Sequence, residues 1–139
     1  MRTIQQMAKY LEKQLVEKGF IIQRLDAQTT KSVYLKLDLG LCNSIRISDH
    51  SGKKEYSYRY NILREMPTKS VHYFTNGKFP RNFYSFDMVD KMIEDIVARK
   101  EEQLKKFGAF IYDALMEKEK QEKTETNAFW KKSKFIGEE

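Results

Sequence analysis

The stretch that decides the fold is Ser32–Ser48, "SVYLKLDLGLCNSIRIS". Val33, Leu35, Leu37 and Leu39 point one way and Tyr34, Lys36 and Asp38 the other, the period of two that marks a half-buried strand. A "GLCN" turn follows, after which Ile45 and Ile47 return to the apolar side while Arg46 and Ser48 take the polar side. A second turn at "HSGKK" leads to "EYSYRYNI", where Tyr56, Tyr58, Tyr60 and Ile62 share a face with each other and Ser57, Arg59 and Asn61 share the opposite one. Strands joined by connections this short are expected to pair as an antiparallel meander, with the tyrosines packed under a helix.

Upstream, the period lengthens. Ile4, Met7, Ala8, Leu11 and Leu15 recur at helical spacing, Thr3 and Gln6 form a capping box, and Gly19 supplies a left-handed stop. Phe20–Leu25 opens the sheet. Downstream, Arg64–Ser85 is less regular, with Pro67, Pro80 and an Asn76-Gly77 pair that predicts a tight turn between "VHYF" and "KF". Helix resumes after Ser85, with Asp87 and Asp90 in its first turn and Val89, Met92, Ile93, Ile96 and Val97 as its stripe. Leu104, Phe107, Ile111 and Leu115 keep that spacing through Gly108, which predicts one long or gently kinked helix over two separate ones.

The sequence therefore predicts an α+β fold: an N-terminal helix, an antiparallel meander of four to five strands, and a long C-terminal helix or helix pair. Residues 1–116 read as a single domain and 117–139 as a charged extension, helical or partly disordered, because the apolar stripe ends at "EKEKQEKTETN". No run of about 18 apolar residues exists to span a bilayer, and "MRTIQQMAKYLEK" lacks the unbroken apolar stretch of a signal peptide. The expected location is the cytoplasm of a bacterial host cell, which agrees with a lone cysteine, Cys42.

Two constellations invite a catalytic reading. "SDHS", Ser48–Ser51, supplies every residue type of a hydrolase triad, but neighbours on a strand point to opposite faces and no G-x-S-x-G elbow is present. Asp49 and His50 read better as residues that end a strand and stabilise its turn. The two histidines, His50 and His72, lack the spacing of a metal cage, and neither a phosphate-binding loop nor a dinucleotide fingerprint occurs. Glu94-Asp95 and Glu101-Glu102 lie on a charge-rich helix and read as a solvated face. The sequence thus points to no enzyme activity, no cofactor and no metal.

What remains is charge. The net +6 is unevenly spread: residues 1–85 carry 15 Lys/Arg against 7 Asp/Glu, and residues 86–139 carry 11 against 13. Lys36, Arg46 and Arg59 come from consecutive expected strands and are placed side by side on the polar face, with Lys53 and Lys54 on the adjoining turn. Arg64, Lys69, Lys78 and Arg81 follow in the aromatic-rich segment. These nine residues are the expected contacts for an acidic partner, nucleic acid included.

The order of helix, three strands and helix is similar to that of double-stranded RNA binding domains, but "SFDMVDKM" puts Asp87 and Asp90 where that family holds phosphates with lysines. "SVYLKL", "IRISDH" with the Lys- and Tyr-rich "SGKKEYSYRYNI", and "FYSFDMVDKMIEDI", roughly residues 32–97, resemble small proteins of phages and integrative elements of Firmicutes, among them the type II anti-CRISPR proteins that inhibit Cas9. That resemblance implies a non-enzymatic inhibitor, monomer or homodimer, that binds a Cas9 and guide RNA complex and blocks DNA binding or cleavage. Anti-CRISPR proteins that imitate DNA are acidic; a basic chain is expected instead to meet guide RNA or an acidic patch on a nuclease domain. The alternative is a basic nucleic-acid-binding accessory protein of a phage or mobile element.

Overall fold

The computed structural model describes residues 2–49, 58–66, 69–74, 80–126 and 133–136. Helix α1 (Ile4–Glu17) starts at the expected box: Gln6 N–H donates to Thr3 Oγ1 at 3.1 Å and Thr3 N–H to Gln6 Oε1 at 2.8 Å. Its five stripe residues are all buried. Gly19, at φ +89, turns the chain so that Phe20 N–H reaches back to Leu15 O, and the sheet follows.

The strands are β1 (Ile22–Asp26), β2 (Val33–Leu37), β3 (Ser44–Ser48), β4 (Tyr60–Leu63), β5 (Val71–Phe74), β6 (Arg81–Ser85) and β7 (Lys134–Ile136). They form one sheet in the order β5-β6-β4-β3-β2-β1-β7. The α+β class is as expected, but the sheet has seven strands among the described residues and is mixed. Pairs β3·β4 and β4·β6 are parallel; the others are antiparallel. The meander fails because the chain between Ser48 and Tyr60 is longer than a hairpin turn, so β4 can start beside the start of β3. The β5–β6 hairpin then inserts β6 between β4 and β5, with Phe74 opposite Arg81. The Asn76-Gly77 turn expected there lies outside the described residues.

One face of the sheet is apolar. Ile22, Val33, Leu35, Leu37, Ile45, Ile47, Tyr60, Ile62 and Tyr84 are buried on it, against α1 and against Val89, Met92, Ile93 and Ile96 of α2 (Val89–Phe107). Arg24 fastens the outer corner of α1, with Nη1 2.7 Å from Glu12 and Nε 2.7 Å from Asp26. Ser85 does not cap a helix with its side chain; its Oγ accepts from Ser70 N–H at 3.1 Å and holds the approach to β5 instead.

Of the two expected forms of the C-terminal region, one long helix or a helix pair, the structure has the pair. Gly108 adopts φ 79 and ψ 155, a conformation essentially restricted to glycine, and α3 (Ala109–Thr126) begins as a separate helix. The apolar spacing across this break marks no shared buried face: Leu104 and Leu115 are half-buried and Phe107 and Ile111 exposed, while the buried residue of the first turn of α3 is Tyr112. Backbone bonds from Gly108 N–H to Leu104 O and from Tyr112 N–H to Gly108 O close α2 and open α3. Beyond α3, β7 pairs with β1, placing Ile136 opposite Ile22 and Lys134 opposite Arg24.

A Cβ added to Gly108 meets nothing within 4 Å, so the cost of Gly108→Ala is purely conformational. We expect a loss of about 1–3 kcal/mol in urea denaturation. A loss near zero would mean that the α2–α3 corner relaxes into another shape.

Candidate functional site

The face of the sheet turned away from α1 and α2 is polar. Register sets Gln23 beside Lys36, Lys36 beside Ser44, Tyr34 beside Arg46, Arg46 beside Asn61 and Asn61 beside Phe83. The expected side-by-side placement of Lys36 and Arg46 on neighbouring strands is therefore met, but the expectation of an open surface is not. Lys36 and Arg46 are each only 5% exposed, and Asn61 and Ser48 are fully buried. Arg46 donates to Ser48 Oγ at 2.7 Å and lies 3.4 Å from Ser32 Oγ. Buried cations persist only where hydrogen bonds replace their water, so these two are fixed interior charges of this face.

The remaining cations fall at the two ends of the strands. Arg59 immediately precedes β4, and Asn82 N–H donates to its carbonyl at 2.6 Å, which brings the Arg59 backbone beside the start of β6, where Arg81 lies. Both are half-buried. The Arg59 guanidinium carbon lies 5.8 Å from the centre of the Tyr60 ring, so this side chain bends toward its neighbour and does not join the Lys36–Arg46 row. At the other end, roughly 13 Å along the strands, Arg64 pairs with Asp49 at 3.2 Å and Lys69 is exposed in a turn at φ +55. Lys53, Lys54 and Lys78 lie outside the described residues.

The tyrosines divide. Tyr60 and Ile62 are in the core as expected, whereas Tyr58 precedes the strand and packs against Tyr34 of the polar face, ring centres 5.1 Å apart. Alternation does not extend back through the bend at Arg59, which is why the face predicted for Tyr58 is wrong. Tyr56 lies outside the described residues.

In the "SDHS" motif, Ser48 is fully buried as the acceptor for Arg46, and Asp49 forms its ion pair with Arg64; His50 and Ser51 lie outside the described residues. Of the helix carboxylates, Glu94, Glu101 and Glu102 are exposed, but Asp95 is not a solvated bystander. Its Oδ2 accepts from the hydroxyls of Tyr84 and Tyr73, each at 2.8 Å, and its Oδ1 lies 3.2 Å from Lys91. Burial first, then this carboxylate, pushes the Tyr84 hydroxyl pKa far up.

Sequence reasoning missed the densest polar cluster. It placed Asp38 outward on a continuing strand, yet the strand ends at Leu37, and positive φ at Asp38 (49) and Leu39 (57) turns the carboxylate inward, where it has no exposed surface. Oδ1 accepts from Ile21 N–H at 2.8 Å; Oδ2 accepts from Tyr112 at 2.5 Å and lies 3.0 Å from Lys100 Nζ. Lys100 also donates to Gly19 O at 2.6 Å, and Cys42 Sγ sits 3.1 Å from the Tyr112 hydroxyl. The only hint in the sequence is "DLGLCN", a turn-rich end to an apolar strand.

A groove between α1 and α2, lined by Lys18, Asp90, Glu94 and Glu101 over Ile93 and Val97, has a surplus of acid and is unsuited to an anion. Among the described residues no helix is long and apolar enough to cross a membrane, and no group of three His, Cys, Asp or Glu could hold a metal ion. No protein family, curated protein or solved structure matches the chain.

Burial pushes the Cys42 thiol from its ordinary 9.0 up to about 11, and burial with the Asp38 hydrogen bond raises Tyr112 above its ordinary 10.0. Both groups stay protonated in the folded state after they would ionise in the unfolded one, so the stability tied to Cys42 is full below pH 9.0 and lost as pH rises toward 11, and that tied to Tyr112 is full below pH 10.0 and declines above it. We expect unfolding midpoints to fall over that window, with a shallower fall in Tyr112→Phe. Cys42 is expected to resist thiol reagents at pH 8 until urea unfolds the chain; rapid labelling of folded protein would contradict its burial. Lys100→Met, which leaves Asp38 buried without its cation, is expected to cost about 3 kcal/mol in the same denaturation assay.

Proposed function

We propose that this protein is a non-catalytic inhibitor of a CRISPR-Cas9 effector, binding the nuclease with its guide RNA and blocking DNA binding or cleavage. The observation that supports an anionic partner is the Arg59–Arg81 pair. Both arginines are half-buried where Asn82 N–H bonds the Arg59 carbonyl, and guanidinium groups in such a place can meet a phosphate or carboxylate by charge-assisted hydrogen bonds. Behind them the same face of the sheet carries Lys36 and Arg46, both buried.

A binding role also suits the way the reactive groups are used. Ser48, Asp49, Asp38 and Cys42 are each engaged in internal bonds, and the raised Cys42 pKa makes it a poor nucleophile. The acidic α1–α2 groove lies on the helix-covered side, so an RNA-bearing partner is steered to the other face.

The test is DNA cleavage by a purified Cas9 and guide RNA complex, with affinity for the complex, for free guide RNA and for duplex DNA measured across a salt series. Inhibition with tight binding only to the complex is expected. The double variant Arg59→Glu, Arg81→Glu should weaken that binding about tenfold or more, while Glu101→Lys, Glu102→Lys should not. Steeply salt-dependent binding to free RNA or DNA without inhibition would favour the nucleic-acid-binding accessory protein instead. Absence of binding to all three ligands would end both readings.

A further inference from the structure

The two edges of the sheet are built differently. The β1 edge is covered by β7, which has only three residues and carries Lys134, features that discourage further pairing. The opposite edge, β5, has no Lys, Arg, Asp, Glu or Pro between Val71 and Phe74 and exposes its aromatics on both sides. Tyr73 is 52% exposed, set edge-on to Tyr84, and Phe74 is 47% exposed, set edge-on to Phe83.

Its hydrogen-bonding pattern can be worked out. Ser85 N–H donates to Ser70 O at 2.9 Å while Ser70 N–H donates to Ser85 Oγ, so Ser70 and Ser85 form the bonded pair. Alternation then turns the peptide groups of His72 and Phe74 toward β6 and those of Val71 and Tyr73 outward. Among the described residues no strand pairs with this side of β5, so two N–H and two C=O groups face outward on an uncharged strand.

We propose that β5 is the contact between two copies of this chain, paired antiparallel about a two-fold axis through His72. In that register Val71 of each copy faces Tyr73 of the other, and all four outward peptide groups are satisfied by their own counterparts. Val71 and Tyr73 form a β-branched and aromatic pair on one face, a favourable cross-strand combination. His72 meets its own copy at a non-hydrogen-bonded position, where side chains come closest. The α2 charges joined to Tyr73, Asp95 and its partner Lys91, are of opposite sign, so the seam is not bordered by a field of one sign. This dimer is independent of the proposed inhibitory role.

Light scattering on the eluting full chain should give twice the 16.6 kDa mass. Because His72 is exposed, His72→Cys should fold normally and, under mild oxidation, become cross-linked to a second copy; wild type, whose Cys42 is buried, should not. Tyr73→Lys, which places a charge in the seam, should elute as a monomer with an unchanged circular dichroism spectrum. A monomer at high micromolar concentration would overturn the proposal. So would a dimer in which His72→Cys fails to cross-link, since that dimer must use another surface.

Discussion

A carboxylate with no exposed surface governs this fold. Asp38 joins the peptide that opens β1, the lysine near the middle of α2 and the tyrosine of the first turn of α3, so three separated stretches meet at one pair of oxygen atoms. Removing a charge this small from water costs several kcal/mol, and only the full set of donors offsets it. The position of α3 follows directly. Without Gly108 redirecting the chain, Tyr112 could not turn back to the end of β2.

Around that anchor the sheet separates two environments. The apolar face takes α1 and α2 and holds most of the buried area. The polar face holds Lys36, Arg46, Ser48 and Asn61 in its interior, an expensive arrangement for a small domain.

How far the sequence could be read depended on how local the determinant was. The first helix was legible to the residue, since Thr3, Gln6 and the Ile4–Leu15 stripe act within a few turns of one another. β2 and β3 were legible from alternation, and their register put Lys36 and Arg46 on one face. Strand direction beyond β3 was not, because nothing local in residues 49–59 distinguishes a hairpin from a connection that returns to the start of the sheet. Burial of Lys36 and Arg46 was equally hidden: alternation tells which side a residue takes, not whether that side is open. Asp38 and Tyr112 meet across 74 positions, and neither carries a mark of the other.

The pairing of β7 with β1 has a consequence for biosynthesis. β1 leaves the ribosome more than a hundred residues ahead of β7. During that interval its outer hydrogen-bonding groups have no strand of their own to meet, although the core facing α1 can already assemble. The nascent protein therefore carries an unshielded flank through most of its translation, when a chaperone or a neighbouring polysome product has the longest opportunity to engage it.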